Sequence, residues 1–229
     1  MNTTIVSSNI TKHPSLNFLK EKGFKFNDPW DLTINFEKIV ANYSGSKYAL
    51  ALNSCSSAIF LSLKYLESKN RKKIKRNIII PEKTYSSVPM QIIHAGFKPI
   101  YKKIEWEGIY SLNPLNIIDG ATRFTKNQYV KGSLHCLSFH HRKILKIGVG
   151  GMILTDDKNF INWARPRIYD GRDIKRLYKN HKKFVLSYHL YLPPELSLIG
   201  IQKFKKLKKY NEDCGGSRDY ISLKGKILL

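Results

Sequence analysis

One lysine lies in a position where it could act as a nucleophile. An apolar run ends at Ser138, and a second apolar run covers residues 152–154. Lys143 lies between them, so the pattern predicts a strand, a loop that carries the lysine, and a second strand. A lysine held between buried elements loses solvation, which lowers its pKa and makes the amine nucleophilic. The alternative is a solvated basic loop in a basic protein.

The elements that would position this lysine alternate between strands and helices. Strands are predicted over residues 47–52, 77–81, 98–101 and 115–118, and helices over 31–43, 86–95, 160–168 and 194–209, with a further helix after residue 53. Alternation of this kind is typical of an α/β fold in which helices flank a mostly parallel sheet. In such sheets, ligands bind beyond the carboxyl ends of the strands.

Three more polar groups are predicted at those strand ends. Ser54, Cys55 and Ser56 lie in a turn that opens a helix, where backbone amides and hydroxyls can bind a phosphate. Tyr85 follows the strand that ends at residue 81, although a tyrosine in such a place often serves only as packing. Asp119 is a single carboxylate that closes a buried strand.

Together with Lys143, these groups match the requirements of pyridoxal phosphate. The phosphate needs an anchor, the ring needs an aromatic partner, the pyridine nitrogen needs a carboxylate, and the aldehyde needs a lysine for its Schiff base. A serine-rich turn usually only caps its helix, so the hypothesis depends on all four groups.

Six short motifs occur in order over about residues 35–207. They are Phe36-Glu37 with Tyr43-Ser44-Gly45-Ser46-Lys47-Tyr48-Ala49, Asn53-Ser54-Cys55-Ser56-Ser57-Ala58-Ile59, Pro81 to Tyr85, Ile118-Asp119-Gly120-Ala121, Ser138-Phe139-His140-His141-Arg142-Lys143 with Gly148-Val149-Gly150-Gly151, and Ser187-Tyr188-His189 with Gly200 and Leu207. In this order they resemble the motifs of the DegT/DnrJ/EryC1/StrS sugar aminotransferases. Those proteins are fold-type I pyridoxal-phosphate enzymes.

The resemblance implies a role for each matching residue. Lys143 would bind the cofactor covalently and then move a proton, Asp119 would pair with the pyridine nitrogen, and Tyr85 would stack on the ring. His189 stands where the family has an asparagine that reaches the partner subunit's phosphate site, which implies a homodimer with a shared active site. The remaining cofactor-binding residues would be Ser54, Cys55, Ser56, Ser138 and His140.

The resemblance also implies a reaction. Related dehydratases have histidine at the lysine position, so Lys143 favours transamination. The implied enzyme moves an amino group, from glutamate, onto a nucleotide-linked keto sugar for surface polysaccharide or related glycan synthesis. Two alternatives stay open: a non-catalytic basic protein of the same fold that binds nucleic acid or another polyanion, and a protein that binds the cofactor without turnover.

The substrate side departs from the family's pattern. Residues 112–114 lead almost directly to the Asp119 strand, where the family has a further strand and helix, and a reduced C-terminal domain is expected. We predict an N-terminal extension over residues 1–30, a cofactor-binding domain over 31–210 and a weakly packed C-terminal tail over 211–229. Arg165, Arg167 and Arg172 are candidates for binding carboxylates or a diphosphate, with an exposed basic turn as the alternative.

Composition adds expectations about partners and location. Forty Lys+Arg against 17 Asp+Glu give a net charge of +23, which suits a nucleic-acid binder, yet no recognised nucleic-acid module accompanies it. Three widely spaced cysteines suggest neither a disulfide framework nor a zinc site, so no metal is predicted. With no signal peptide and no apolar run long enough to span a bilayer, we expect a cytoplasmic protein.

Overall fold

The computed structural model describes residues 28–70 and 74–227, apart from the side chain of Asn70. Most of the predicted N-terminal extension, residues 1–30, therefore lies outside the described residues. The helices and strands are α1 (Trp30–Ser44), β1 (Tyr48–Leu52), α2 (Cys55–Asn70), β2 (Asn77–Pro81), α3 (Ser87–His94), β3 (Lys98–Lys102), β4 (Tyr110–Ser111), β5 (Ile117–Asp119), β6 (Leu134–Ser138), β7 (Gly151–Thr155), α4 (Lys158–Arg167) and α5 (Pro194–Phe204), with 3-10 turns at Tyr178–Asn180 and Ser217–Asp219.

Within the described residues, the central sheet has five strands in the order β1-β7-β6-β5-β4. Only β5 and β6 pair in parallel, and the other three pairs are antiparallel. The α/β class is confirmed, but the prediction of a mostly parallel sheet is wrong for these five strands. A parallel pair needs a crossover connection, whereas β6 and β7 are joined by residues 139–150, which contain no helix, so the chain can turn back beside itself. The β2–β3 pair, joined through α3, is parallel.

Both faces of the sheet are covered, which explains why its strands are mostly apolar on both faces. Successive side chains of a strand point to opposite faces. Leu50 and Leu52 accordingly pack in one core cluster with residues of α2 and α3, while Ala49 and Ala51 pack in the other with residues of α1 and α5. This packing holds the strand ends in place. No helix among the described residues is long and apolar enough to cross a membrane.

The end of the chain packs more closely than its sequence predicts. The backbone N–H of Cys214 donates to the carbonyl oxygen of Thr122 at 2.8 Å. The backbone N–H of Leu223 donates to the backbone carbonyl oxygen of Glu82 at 2.8 Å. The Leu223 side chain is buried. The expectation of a weakly packed end is therefore wrong for residues 211–227, because hydrogen bonds to distant segments hold them without any apolar periodicity.

Candidate active site

A cavity of about 470 Å³ lies where β1, β2, β5 and β6 end. Its volume is within the range of small-molecule sites. Eight residues that the sequence singled out line it: Ser54, Cys55, Ser56, Tyr85, Asp119, Ser138, His140 and Lys143. They come from segments far apart in the chain, so the fold brings the predicted phosphate, ring and lysine groups to one place.

The first turn of α2 forms one side of this cavity. The Ser54 hydroxyl accepts a hydrogen bond from the Ser57 N–H at 3.0 Å, and the Ser56 hydroxyl donates to the Ser87 hydroxyl at 2.7 Å. First-turn amides have no acceptor within their own helix, and the helix dipole adds partial positive charge there. The turn therefore has the chemistry of an anion site.

Gly151 at the start of β7 allows this turn to lie against the sheet. A Cβ atom built on Gly151 would be 2.3 Å from the Ser54 carbonyl carbon and 2.4 Å from the Cys55 nitrogen. Any other residue would push the two backbones apart. The glycine pair of the sequence motif thus has a steric function at this contact.

Asp119 is a buried carboxylate inside a hydrogen-bonded chain. The Tyr110 hydroxyl donates to its Oδ2 at 2.6 Å, and the Ala121 N–H donates to its Oδ1 at 3.0 Å. The Thr84 hydroxyl lies 2.5 Å from the Tyr110 oxygen. Burial raises the pKa of Asp119, and the two donated hydrogen bonds partly oppose this shift. A carboxylate accepts about four hydrogen bonds, so Asp119 retains capacity for a ring N–H.

Lys143 is held by a loop that folds back on itself. The Phe139 N–H donates to Gly150 at 2.9 Å, and the Ile147 N–H donates to Phe139 at 3.0 Å. Ile147 is buried and anchors the loop in the core. Lys143 is half-buried and lines the cavity with Asp119. Because the loop is closed by backbone hydrogen bonds, the lysine side chain reaches the cavity from a defined base.

Two other titratable groups at the site have shifted pKa values. Burial raises the pKa of the Cys55 thiol well above its usual value, and the nearby Asp119 raises it further. Slight desolvation and the nearby positive charges of Arg142 and Lys143 lower the pKa of His140, which is exposed. Cys55 is therefore a poor nucleophile, since the thiolate is the reactive form. Lys143 is the better candidate among these cavity residues.

The other predicted site residues lie outside this cavity. His189 is exposed, and its Nδ1 is 3.0 Å from the Asp170 carboxylate. The predicted reach of His189 into a partner subunit stays a prediction. The Arg167 guanidinium lies over the Trp163 ring at 4.4 Å, and that of Arg172 lies over a tyrosine ring at 4.2 Å.

Arg165 has a structural partner instead of a place in the cavity. Its guanidinium donates to both carboxylate oxygens of Glu37 at 2.8 Å. Glu37 also accepts the Ala51 N–H at 2.8 Å. The pair therefore ties α4 to α1 and β1. The sequence-based assignment of Arg165 to substrate binding does not take account of this bidentate contact.

Several residues that line or support the cavity were missed by the sequence reasoning. They are Thr84, Trp106, Tyr110, Arg142, Cys214, Asp219 and Tyr220. Arg142 precedes the lysine and could have been found from the motif alone. Thr84 likewise lies in a quoted motif, directly before Tyr85. The other five carry no local signal, because they approach the cavity only through tertiary contacts.

The fold is that of fold-type I pyridoxal-phosphate-dependent enzymes. Helicobacter pylori PseC, an aminotransferase involved in pseudoaminic acid biosynthesis, matches with a TM-score of 0.61 at 16% identity, over 90% of this chain and 65% of that one. The E. coli GDP-4-keto-6-deoxy-D-mannose-3-dehydratase, solved with bound hydrated PLP, matches with a TM-score of 0.64 at 16% identity, over 89% of this chain and 67% of that one. At such identities the likeness concerns the fold.

Sequence similarity defines the family. The model of the DegT/DnrJ/EryC1/StrS aminotransferase family matches residues 26–127 and 120–214. The chain belongs to this family.

Two curated proteins are similar over part of the chain. An uncharacterized protein of Methanocaldococcus jannaschii is 35% identical over 94 residues, which are 41% of this chain and 23% of that protein. The spore coat polysaccharide biosynthesis protein SpsC of Bacillus subtilis is 36% identical over 175 residues, with 57% of this chain and 43% of that protein covered. The chain thus spans less than half the length of these relatives.

Proposed function

We propose that this protein is a pyridoxal-phosphate-dependent aminotransferase. The observation that carries the proposal is the cavity that Lys143, Asp119 and the first turn of α2 line together. These are a covalent anchor, a carboxylate and an anion site, and they come from three different segments. Membership of an aminotransferase family supports the same function.

The residues present fit the cofactor. The α2 amides and the Ser138 hydroxyl supply donors for a phosphate, and the Ser56 hydroxyl would join them by turning away from Ser87. The Arg142 side chain adds a cation to the cavity lining. The free acceptor capacity of Asp119 suits a ring N–H. Tyr85 lies at the rim with 61% of its surface exposed, so its ring is available for stacking.

When bound, pyridoxal phosphate supplies an electron sink beside the nitrogen that is transferred. Asp119 would hold the proton on the ring nitrogen, and the hydrogen bond from Tyr110 stabilises the ionised form of Asp119 that this role requires. Lys143 would accept a proton from the substrate carbon and return it as a general acid. The buried sheet behind Asp119 limits the access of water to this side.

For the substrates, we propose glutamate as amino donor and a nucleotide-linked keto sugar as acceptor. A lysine at position 143, where related dehydratases have histidine, supports transamination. SpsC is named for polysaccharide biosynthesis, and fold neighbours include GDP-sugar and TDP-sugar enzymes. We further propose a homodimer in which His189 contributes to the partner's site, and a cytoplasmic location, which the free cysteines Cys55, Cys136 and Cys214 support.

One spectrum tests the cofactor, the lysine and the half-reaction together. We expect purified protein supplied with pyridoxal phosphate to show the absorbance band of the lysine-bound cofactor, and glutamate to convert it to the pyridoxamine form. Lys143→Ala should lose the band, whereas Lys146→Ala, an exposed lysine of the same loop, should keep it. A wild-type protein that never takes up the cofactor would disprove the proposal. If the band appears but does not respond to glutamate, the protein binds the cofactor without catalysing the half-reaction.

A polyanion-binding protein is the second candidate, because much of the positive charge is on the surface. Every lysine within residues 203–209 is exposed, as are those of residues 175–183. Neutralising phosphates makes binding steeply dependent on salt. A colourless protein that binds nucleic acid with such a dependence would favour this function over the enzyme.

A further inference from the structure

Residues 211–227 form a second side of the cavity, which we call the C-terminal wall. Its first part is tied by the Gly108 N–H, which donates to Gly215 at 3.1 Å, and by the Ser217 N–H, which donates to Trp106 at 2.9 Å. Arg123 Nε donates to the Asp213 carboxylate at 2.8 Å. The wall is therefore held by contacts to segments about a hundred positions earlier in the chain.

Most of this wall lies beyond the family match, which ends at residue 214. It nevertheless brings Cys214, Asp219 and Tyr220 into the cavity lining. The Asp219 carboxylate accepts the Gly216 N–H at 2.8 Å, so it is engaged within the wall itself. Of these three lining residues, Tyr220 has the largest side chain.

The Tyr220 ring belongs to an aromatic group at the cavity. It stacks on the Trp106 ring with centroids 5.8 Å apart and an interplanar angle of 22°. It also meets the Tyr85 ring edge-on at 6.4 Å. The indole N–H of Trp106 donates to the Lys83 carbonyl oxygen at 2.8 Å, which orients the stack. Stacked rings in a cavity form a flat apolar surface that suits another ring.

The Tyr220 hydroxyl is available as a donor. Among residues 28–70 and 74–227 it makes no hydrogen bond, although a partly buried tyrosine usually has a partner. Burial raises its pKa to about 12, and the negative charges of Asp119 and Asp219 contribute. The phenol therefore keeps its proton at neutral pH, close enough to Asp119 to feel that charge.

We propose that Tyr220 is a cofactor-binding residue, whose ring, with Trp106, packs against pyridoxal phosphate and whose hydroxyl donates to it. This assignment rests on the proposed function. The cofactor site would then consist of the residues at the strand ends together with Tyr220, which lies beyond the family match.

Equilibrium dialysis with pyridoxal phosphate tests the assignment. We expect the dissociation constant to rise about tenfold in Tyr220→Ala, which loses both the ring and the hydroxyl, and about threefold in Tyr220→Phe, which keeps the ring. Tyr210→Ala is the matched control, because Tyr210 is 74% exposed and does not line the cavity. Thermal melts of the variants confirm that each one folds.

The outcomes separate this inference from the proposed function. A wild-type protein without affinity for pyridoxal phosphate would overturn both. Normal affinity in wild type and in Tyr220→Ala would overturn the role of Tyr220 alone. A raised KM for a sugar substrate with unchanged cofactor affinity would also overturn it, by assigning Tyr220 to the substrate.

Limited trypsin digestion gives a readout that does not depend on catalysis. The Arg218 side chain is 75% exposed, so trypsin can reach the C-terminal wall. We expect pyridoxal phosphate to slow cleavage after Arg218 several-fold in wild type and to have little effect in Tyr220→Ala. Equal protection in both proteins would contradict the proposed contact.

Discussion

The two sides of the cavity are built in different ways. The strand-end side, made of Ser54–Ser56, Asp119, Ser138 and Lys143, rises from buried strands and a helix start. The C-terminal wall has no strand and only one 3-10 turn, and it depends on hydrogen bonds to distant loops. The strand-end side should keep its structure unless the core is disturbed, because the core supports it. The C-terminal wall should open locally when a single hydrogen bond or ion pair to a distant loop is removed.

The largest effect should come from the charge at the base of the strand-end side. Asp119→Asn keeps the shape of the side chain but removes the carboxylate from the ring nitrogen. We expect the rate of the half-reaction with glutamate to fall by about 10²–10³-fold, as for loss of one preorganised electrostatic group. Stopped-flow absorbance measures this rate. Asp173→Asn, at an exposed aspartate outside the cavity, is the control, and an equal loss there would contradict the role of Asp119.

Acid should destabilise the fold that supports the strand-end side. His135 in β6 is fully buried, and burial lowers its pKa from 6.5 to about 4. As pH falls, His135 takes up a proton below pH 6.5 in the unfolded chain but only near pH 4 in the folded chain. Protonation therefore favours the unfolded state, so the free energy of unfolding is highest above pH 6.5 and decreases as pH falls towards 4. This loss amounts to about 3 kcal/mol between pH 7 and 4.

Urea unfolding at pH 7 and pH 4 measures this contribution. In His135→Gln, the difference between the two free energies of unfolding should be about 3 kcal/mol smaller than in wild type. The comparison is made within each protein, so a general loss of stability in the variant does not affect it. His181→Gln, at a half-exposed histidine of the surface turn, serves as control and should retain the wild-type difference.

A methyl group at Gly151 should disturb the joint between β7 and α2. The Cβ atom of Gly151→Ala would collide with backbone atoms, so we expect a loss of 1–3 kcal/mol in stability, on the order seen for overpacked cores. Displacement of the α2 amides should weaken cofactor binding about tenfold. At Gly132 an added Cβ would have no atom within 4 Å, although the φ of +79° there strains an alanine, so Gly132→Ala should leave the cofactor affinity unchanged. Equal affinities in all three proteins would refute the steric argument.

The smallest effect should come from removing the Arg123–Asp213 ion pair that holds the C-terminal wall. Asp213→Asn removes the charge that Arg123 contacts, and such a pair near the surface contributes about 1 kcal/mol or less. We expect stability to change little, cofactor affinity to fall a few-fold, and trypsin cleavage after Arg218 to accelerate. The exposed Lys175–Asp31 pair provides the control, Asp31→Asn. If the Asp213 variant is cleaved no faster than the control, the wall does not depend on this tie.

The strand-end side could be predicted from the sequence to a greater extent than the C-terminal wall. The strands and helices near the site were predicted within a few residues, because apolar runs and their turns are local signals. The helix expected over residues 194–209 was too long, since the structure ends it at Phe204. The sheet direction was wrong, because strand pairing depends on the path of the connections and not on the strands' own residues.

The candidate site shows the same division. Lys143, Asp119 and the Ser54–Ser56 turn, which line the cavity, could be proposed from the sequence because they lie in motifs at the ends of predicted elements. Tyr110 was missed although it donates directly to Asp119, since its position follows from the pairing of β4 with β5. The assignment of Arg165 to a ligand ignored a pairing with Glu37, 128 positions earlier in the chain.

The sequence by itself determined the residue types of the site and the elements that carry them, because helix starts, strand ends and glycine turns are encoded within a few neighbouring positions. The tertiary structure alone decided which distant residues complete the cavity. Trp106 and Ser217 are 111 positions apart, and Thr122 and Gly215 are 93 apart, yet hydrogen bonds join each pair. Such contacts form only once the core has brought the segments together, so no local pattern records them.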